Sequence, residues 1–260
     1  MAGETGPLMV FSHGFGCDQT MWRAVARRFD TRAQVALFDH VGAGGADDAA
    51  HDPIRHAGLR GYAEDLVEII EALDRGPAVF VGHSVSATIG VLAAVARPDL
   101  FRSLVLLCAS PGYVDREDYR GGFTERDVEE LLELMDKNTA DWSALMAPRV
   151  AGPSDIAAQS DWQESVCRIN PVIAKTFARA TFLSDHRADY ARVTTPTLLI
   201  ESADDLLAPD YVGAWVAGAV RGSRRLILPT EGHAPHMTAP DLTAQAVAEI
   251  LEDPPLLRAA

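Results

Sequence analysis

The chain has 260 residues, of which 48% are hydrophobic, and it carries a formal net charge of −14 at pH 7. This length suits one α/β domain with an insertion, and the hydrophobic fraction excludes a chain that is disordered in bulk. The acidic residues are spread along the sequence, so we expect neither nucleic acid nor an anionic membrane among the partners.

The cysteines and the chain start bear on the compartment. The chain has an odd number of cysteines, Cys17, Cys108 and Cys167, and they lack the spacing of a disulfide framework. This favours a reducing, cytoplasmic location. The first seven residues contain no basic region followed by an apolar stretch, so we predict no signal peptide. No apolar run reaches the roughly 18 residues of a membrane span.

Apolar strands and amphipathic helices alternate through the first part of the chain. We predict strands near 8–12, 35–39, 77–82 and 103–108, and helices near 18–28, 61–74 and 86–97. The helix at 61–74 carries Tyr62, Leu66 and Ile70 at helical spacing, and Pro98 favours an end of the following helix at Arg97. This order predicts the α/β class, with a mostly parallel, doubly wound sheet.

The alternation of strands and helices stops after residue 112 and resumes near residue 189. Residues 124–188 read as helices without an intervening strand; Thr124 with Asp127 resembles a capping box, and Asn170-Pro171 opens a helix. Strand, helix and strand then follow at 197, 211 and 224, and the last helix runs from 240 to 252. We therefore predict a core of residues 1–112 and 189–260, with an all-helical lid at 113–188.

Ser84 lies in the pentapeptide Gly82-His83-Ser84-Val85-Ser86, between a buried-strand run and a small-residue helical run. A serine on such a strand-to-helix turn has the geometry of a nucleophile elbow, whose usual pattern is G-x-S-x-G. Ser86 replaces the last glycine and keeps a small side chain there. The alternative is that Ser84 is an ordinary N-cap serine.

Two further residues follow apolar strands in the order that a Ser-Asp-His triad requires. Asp205 lies in an acidic turn closed by Pro209, and His233 lies in the loop after the strand near 224. An imidazole takes the serine proton, and a carboxylate fixes the imidazole tautomer. Asp205 as a turn residue and His233 as a surface histidine are the alternatives.

Neighbouring residues compete for these roles. Asp204 adjoins Asp205. His236 could pair with His233 at a metal site, but a third ligand is missing, so we interpret His236 as a supporting loop residue and expect no metal or cofactor. The backbone direction should aim His83 away from the serine hydroxyl.

The segment His13-Gly14-Phe15-Gly16 follows the first strand directly. Glycines after a strand let backbone amides point into a cavity, as an oxyanion hole requires. We predict the amides of Phe15 and Val85 as the donors. A plain glycine-rich turn is the alternative.

The sequence resembles the α/β-hydrolase superfamily, and more narrowly the RsbQ-like hydrolases, relatives of the karrikin and strigolactone receptors. The segments that carry this resemblance are 13–22 (HGFGCDQTMW), 37–44 (LFDHVGAG), 79–87 (VFVGHSVSA), 119–123 (YRGGF) and 184–187 (SDHR). It covers nearly the whole chain. It implies Ser84 as nucleophile, Asp205 rather than Asp204 as the acid, and His233 as base.

The resemblance also implies a pocket and a partner. Phe123, Met146 and Phe182 would line the pocket, and a sensor phosphatase of a stress-response pathway would be the partner. From their place in the insertion, we expect Trp142 and Phe177 to join them in part, although packing within the lid is the alternative.

Two departures from the family pattern stand out. Met146 occupies a position where an aromatic is common. Only about seven residues precede the first strand, where the family has a longer lead-in, so we expect a shorter sheet or a truncated chain start.

Together these features predict a serine hydrolase that cleaves a small apolar ester or lactone through an acyl-enzyme. An RsbQ-like role in stress signalling is the biological output that the resemblance implies. A slow-turnover ligand receptor, a stand-alone carboxylesterase and a lactonase of a degradation pathway are the alternatives.

Overall fold

The computed structural model describes residues 5–252 and is built on a parallel sheet of six strands. These are β1 Leu8–Ser12, β2 Gln34–Phe38, β3 Ala78–His83, β4 Phe101–Leu107, β5 Thr197–Asp204 and β6 Arg224–Glu231. Their order is β2-β1-β3-β4-β5-β6, and every neighbouring pair is parallel. Of the short lead-in on which the expectation of a truncated start rests, residues 1–4 lie outside the described part of the chain.

The α-helices follow the predicted alternation. They are α1 Arg23–Ala26, α2 Leu59–Leu73, α3 Val85–Ala96, α4 Glu125–Lys137, α5 Thr139–Ala151, α6 Ile156–Arg168, α7 Pro171–Phe182, α8 Arg187–Tyr190, α9 Asp210–Ala219, α10 Pro235–Thr238 and α11 Pro240–Glu252. The single helix predicted near 18–28 is instead α1 flanked by two 3₁₀ turns. Where α1 passes into the second 3₁₀ turn, the Arg27 amide donates to the carbonyls of both Arg23 and Val25.

Two apolar layers cover the sheet, because successive residues of a strand point to opposite faces. On one face Val10, Phe80 and Leu104 pack with Tyr62 and Leu66 of α2. On the other face Met9, Val79 and Val105 pack with residues of α1 and α11, among them Val25 and Val247. The predicted doubly wound α/β architecture is confirmed.

The insertion between β4 and β5 is built from helices α4 to α8. The predicted capping box is present, since Thr124 accepts a hydrogen bond from the Asp127 amide and Asp127 accepts one from the Thr124 amide. Asn170 caps α7 through the amides of Val172 and Ile173. α5 packs between α4 and α6, and α4 also contacts α7. The boundaries 113 and 188 of a separate lid stay a prediction.

The carboxyl ends of all six strands meet at one edge of the sheet, because every pair is parallel. Ser84 directly follows β3, Asp205 directly follows β5, and His233 comes two residues after β6. The topology therefore brings these three residues to the same edge. Within residues 5–252, no helix has both the length and the apolarity to cross a membrane.

Candidate active site

Ser84 lies on a sharp turn between β3 and α3. Its backbone has φ 56° and ψ −122°, a conformation that costs a non-glycine residue about 1–3 kcal/mol. The Ser84 amide donates to the Leu107 carbonyl of β4 at 2.8 Å, which anchors the turn. A side chain at Gly82 would lie 2.6 Å from the Ser86 carbonyl oxygen, so glycine permits α3 to pass this close to β3.

The hydroxyl of Ser84 is the first member of a continuous hydrogen-bonded chain. Ser84 Oγ lies 2.7 Å from His233 Nε2, and His233 Nδ1 lies 2.7 Å from Asp205 Oδ2. All three residues are buried. A neutral His233 protonated at Nδ1 donates to the carboxylate and accepts the Ser84 hydroxyl proton, so one tautomer satisfies both contacts.

Asp205 is held as a carboxylate by its own turn. The amides of Leu207 and Ala208 donate to Oδ1 at 2.8 and 3.0 Å, and His233 bonds to Oδ2. Burial alone would raise the pKa of Asp205, but His233 and the two amides outweigh it and hold the pKa below its usual value. The neighbouring Asp204 is exposed, so of the two candidate acids Asp205 is the buried one in contact with His233.

The backbone around His233 is fixed from two directions. His83 Nε2 donates to the His233 carbonyl at 2.8 Å. The His83 ring therefore contacts the loop that carries His233, called the histidine loop below, and not the Ser84 hydroxyl. The amides of His233 and Ala234 donate to the carbonyls of Arg149 and Val150, at the end of α5. The insertion therefore contacts the histidine loop through backbone hydrogen bonds.

The two predicted oxyanion donors belong to segments next to Ser84. Val85 is the first residue of α3, where amides have no acceptor within the helix. Phe15 belongs to the loop after β1, and its ring makes edge contacts with Trp142, Phe177 and Phe182, at centroid distances of 5.6 to 5.9 Å. Its side chain is thus fixed under the insertion.

His236 is fully buried beside the site. Its ring lies 4.3 Å from the His83 ring and 4.4 Å from the Trp22 ring, and neither nitrogen has a hydrogen-bond partner in the described chain. Among residues 5–252, the group of three whose possible metal-ligand atoms come within 4.8 Å of one another is Cys108, Asp205 and His233. Burial raises the pKa of the Cys108 thiol, which disfavours the thiolate that a metal would need.

A small apolar cavity lies between the insertion and the turn that carries Asp205. It is lined by Tyr113, Phe123, Val128, Leu131, Leu132, Trp142, Met146, Phe182 and Leu207. Four of the five predicted pocket residues are among them. Phe177 is not, because it faces α2 and stacks on Tyr62 with ring centroids 4.3 Å apart.

Tyr113 is the residue of this site that the sequence analysis missed. Its hydroxyl lies 3.3 Å from Ser84 Oγ, and its ring packs on Phe182. Because Ser84 donates to His233, Tyr113 is the donor in this contact, and burial raises the pKa of its hydroxyl. Its position shortly after β4, at the same edge as Ser84, is the feature that could have identified it.

A family model described as "Alpha/beta hydrolase family" matches residues 9–246. The chain belongs to the alpha/beta hydrolase family. The predicted superfamily is therefore confirmed, and the six-stranded sheet with its helical insertion is the fold of this family.

Several plant proteins are similar to this hydrolase over most of their length. A probable esterase of Oryza sativa subsp. japonica is 38% identical, over 92% of this chain and 89% of the relative. "Karrikin insensitive 2 receptor IA" of Petunia hybrida is 36% identical, over 93% and 89%. "Strigolactone esterase D14" of Arabidopsis thaliana is 34% identical, over 96% and 94%. The predicted resemblance to karrikin and strigolactone receptors is confirmed.

A solved bacterial structure is also similar to the hydrolase. The hydrolase olei00960 from Oleispira antarctica is 37% identical, with a TM-score of 0.94, over 97% of this chain and 93% of that one. The similarity therefore includes the insertion as well as the sheet.

The buried His236 ring predicts that acid destabilises the hydrolase. Burial, followed by the charge of His233, lowers its pKa from 6.5 to about 3, so the folded state keeps this ring neutral at pH 5 while the unfolded chain takes up a proton. The folded state then loses about 2 kcal/mol between pH 7 and pH 5 through this residue. Urea unfolding at pH 7, 6 and 5 should show a shallower pH dependence for His236→Phe; an identical dependence would contradict the assignment.

Proposed function

We propose that the chain is a serine hydrolase that cleaves a small apolar ester or lactone. The observation that carries this proposal is the continuous chain of two 2.7 Å contacts from Ser84 through His233 to Asp205. In this proposal Ser84 is the nucleophile, His233 the general base and acid, and Asp205 the residue that orients His233. The esterase names of similar proteins support the same class of reaction.

In the proposed reaction Ser84 Oγ bonds to the ester carbonyl carbon while its proton moves to His233 Nε2. Asp205 stabilises the resulting imidazolium, and the amides of Phe15 and Val85 donate to the oxyanion. The C–O bond of the leaving group then breaks, and His233 returns the proton to the departing oxygen. A water molecule activated by His233 attacks the acyl-enzyme and releases the acid and Ser84.

Substituting the triad should remove esterase activity without unfolding the protein. We expect Ser84→Ala and Asp205→Asn each to lower kcat/KM for p-nitrophenyl acetate by about a thousandfold or more. A fluorophosphonate probe should label the wild type and not Ser84→Ala.

Asp204→Asn is the matched control for Asp205→Asn, since the two carboxylates are adjacent but Asp204 is exposed. We expect Asp204→Asn to keep kcat/KM close to the wild-type value. Equal losses in both variants would argue against Asp205 as the acid. A wild type that is neither labelled nor faster than Ser84→Ala would refute the nucleophile.

The cavity supports a compact, neutral substrate. Aliphatic and aromatic side chains dominate its lining, and its place under the helical insertion favours a small molecule over a polymer. The polar atoms of the lining side chains are the Tyr113 hydroxyl and the Trp142 indole nitrogen. Such a lining favours an apolar acyl or lactone group with one or two acceptor oxygens over charged esters and peptides.

Enlarging the cavity should shift the preferred acyl length. We expect the wild type to prefer short p-nitrophenyl esters, and Met146→Ala to raise the octanoate-to-acetate ratio of kcat/KM by about tenfold, since it removes a buried side chain from the cavity lining. Leu145→Ala is the control, because Leu145 adjoins Met146 but is 42% exposed. A wild-type preference for long charged esters would contradict the proposed substrate class.

A second candidate function is ligand-dependent signalling with slow turnover. It is favoured by the receptor names of similar proteins and by the hydrogen bonds from the His233 loop to α5. A ligand that shifts α5 would change both the insertion surface and the histidine loop. We propose the charged segment 116–126, which surrounds the buried Tyr119, as the contact surface for a sensor phosphatase in the cytoplasm.

Affinity capture from the host tests this second candidate. Ser84→Ala, which should retain an uncleaved ester, is expected to recover a sensor phosphatase, and charge reversal at Glu117 and Asp118 should reduce that recovery. If the capture recovers no regulatory protein and the wild type turns esters over rapidly, the signalling role is refuted. A stand-alone carboxylesterase or lactonase would then be the better description.

A further inference from the structure

Four buried polar residues lie together beneath the loop that carries Phe15, and the mechanism above leaves them without a role. They are Ser12, His13, His40 and Ser86, and none is more than 2% exposed. They come from the end of β1, the loops after β1 and β2, and the first turn of α3. Fully buried polar side chains persist where their hydrogen bonds are satisfied, so each proton in this cluster can be assigned.

Ser86 is the centre of the cluster. Its hydroxyl donates to the His13 carbonyl at 2.5 Å and accepts from the Ser12 hydroxyl at 2.8 Å. His40 Nε2 lies 2.8 Å from Ser86 Oγ and 3.0 Å from Ser12 Oγ. Each serine already donates its single hydroxyl proton, Ser12 to Ser86 and Ser86 to the His13 carbonyl. His40 Nε2 must therefore be protonated, and it donates to both serine oxygens.

His13 has an equally determined tautomer. Its Nε2 accepts from the His40 amide at 3.1 Å, so Nδ1 holds the proton and donates to the Gly14 carbonyl at 2.9 Å. The Cys17 amide donates to the same carbonyl at 3.2 Å. Two donors therefore fix the direction of the Gly14 carbonyl.

The Gly14 carbonyl and the Phe15 amide belong to one peptide unit. The described chain has no cis peptide bond, and in a trans unit the C=O and N–H bonds point in opposite directions. A carbon added at Gly14 would lie 3.3 Å from Ser84 Cβ, which places this peptide against the nucleophile. Holding the carbonyl therefore also fixes the direction of the Phe15 N–H, which points from the opposite side of the same peptide.

We propose that His13 and Ser86 are positioning residues that fix the direction of the Phe15 amide in the oxyanion hole. His13 holds the Gly14 carbonyl, and Ser86 holds the preceding carbonyl of His13 while its own helix carries Val85, the second donor. Ser12 and His40 orient the Ser86 hydroxyl. This inference rests on the proposed serine hydrolase mechanism.

The test measures oxyanion stabilisation directly. A short-chain trifluoromethyl ketone, labelled with ¹³C at the carbonyl, adds to Ser84 Oγ; the ketone oxygen becomes the oxyanion and the serine proton moves to His233. The pKa of this adduct oxygen is read from its ¹³C shift. We expect Ser86→Ala to raise it by about one unit and to lower kcat about tenfold at similar KM, a fraction of the loss for a deleted oxyanion donor.

A pair of substitutions at His13 tests the same inference through a different atom. His13→Leu removes the donor to the Gly14 carbonyl and should lower kcat about tenfold or more, whereas His13→Asn keeps an N–H near that carbonyl and should recover most of the loss. This pair decides the inference if Ser86→Ala does not fold. Thr197→Val is the control, since it removes a buried hydroxyl-to-carbonyl bond at the opposite end of the sheet and should leave kcat unchanged.

The possible results separate this inference from the mechanism on which it rests. If Ser86→Ala and His13→Leu lower the melting temperature but change neither kcat nor the adduct pKa, the cluster is only structural and the inference is wrong. If the wild type forms no adduct and hydrolyses esters no faster than Ser84→Ala, the proposed function itself fails.

Discussion

The close passage of α3 over β3 is the constraint on which the site depends. Ser84 must turn the chain from strand to helix in a single residue, and it does so with a positive φ that a side chain tolerates only under compensation. Gly82 and the small Ser86 permit the approach, and the bond from the Ser84 amide to β4 holds it. A side chain at Gly82 would clash with the Ser86 backbone and force α3 away from β3.

Burial then determines how the polar residues behave. The triad lies in a water-poor environment, where the contacts between Ser84, His233 and Asp205 are stronger than they would be in water. The same burial lowers the pKa of His83 and His236, so these neighbours stay neutral and do not compete with His233 for the Asp205 charge. Of these three histidines, His233 is the one with a carboxylate partner at hydrogen-bond distance, which suits it to the proton transfer proposed for it.

The sheet and the helices that cover it could be predicted from the sequence, because each depends on local periodicity. The parallel pairing follows from the alternation, and the meeting of Ser84, Asp205 and His233 at one edge follows from the pairing. By contrast, the sides that Phe123 and Phe177 face depend on how the helices of the insertion pack. Phe177 stacks on Tyr62, a residue 115 positions earlier in the chain, and no local pattern specifies such a contact.

Tyr113 and the Ser12–Ser86 cluster illustrate the same limit. Their partners are 29 and 74 residues apart in sequence, and serine or tyrosine in a loop has no distinctive pattern until the fold places its neighbour. The distinction between Asp204 and Asp205 is another case, because it rests on which carboxylate the turn buries.

The hydrogen bonds between α5 and the loop that carries His233 connect the cavity to the triad. The last carbonyls of a helix lack partners within it, and at the end of α5 those of Arg149 and Val150 accept the amides of His233 and Ala234. Met146, one turn earlier on the same helix, lines the cavity. A ligand that presses on Met146 would therefore act on the helix whose end holds the backbone of His233. If His233 is the general base, as proposed, substrate fit and base position are coupled through α5, and an ester too large for the cavity is expected to be cleaved slowly as well as bound weakly.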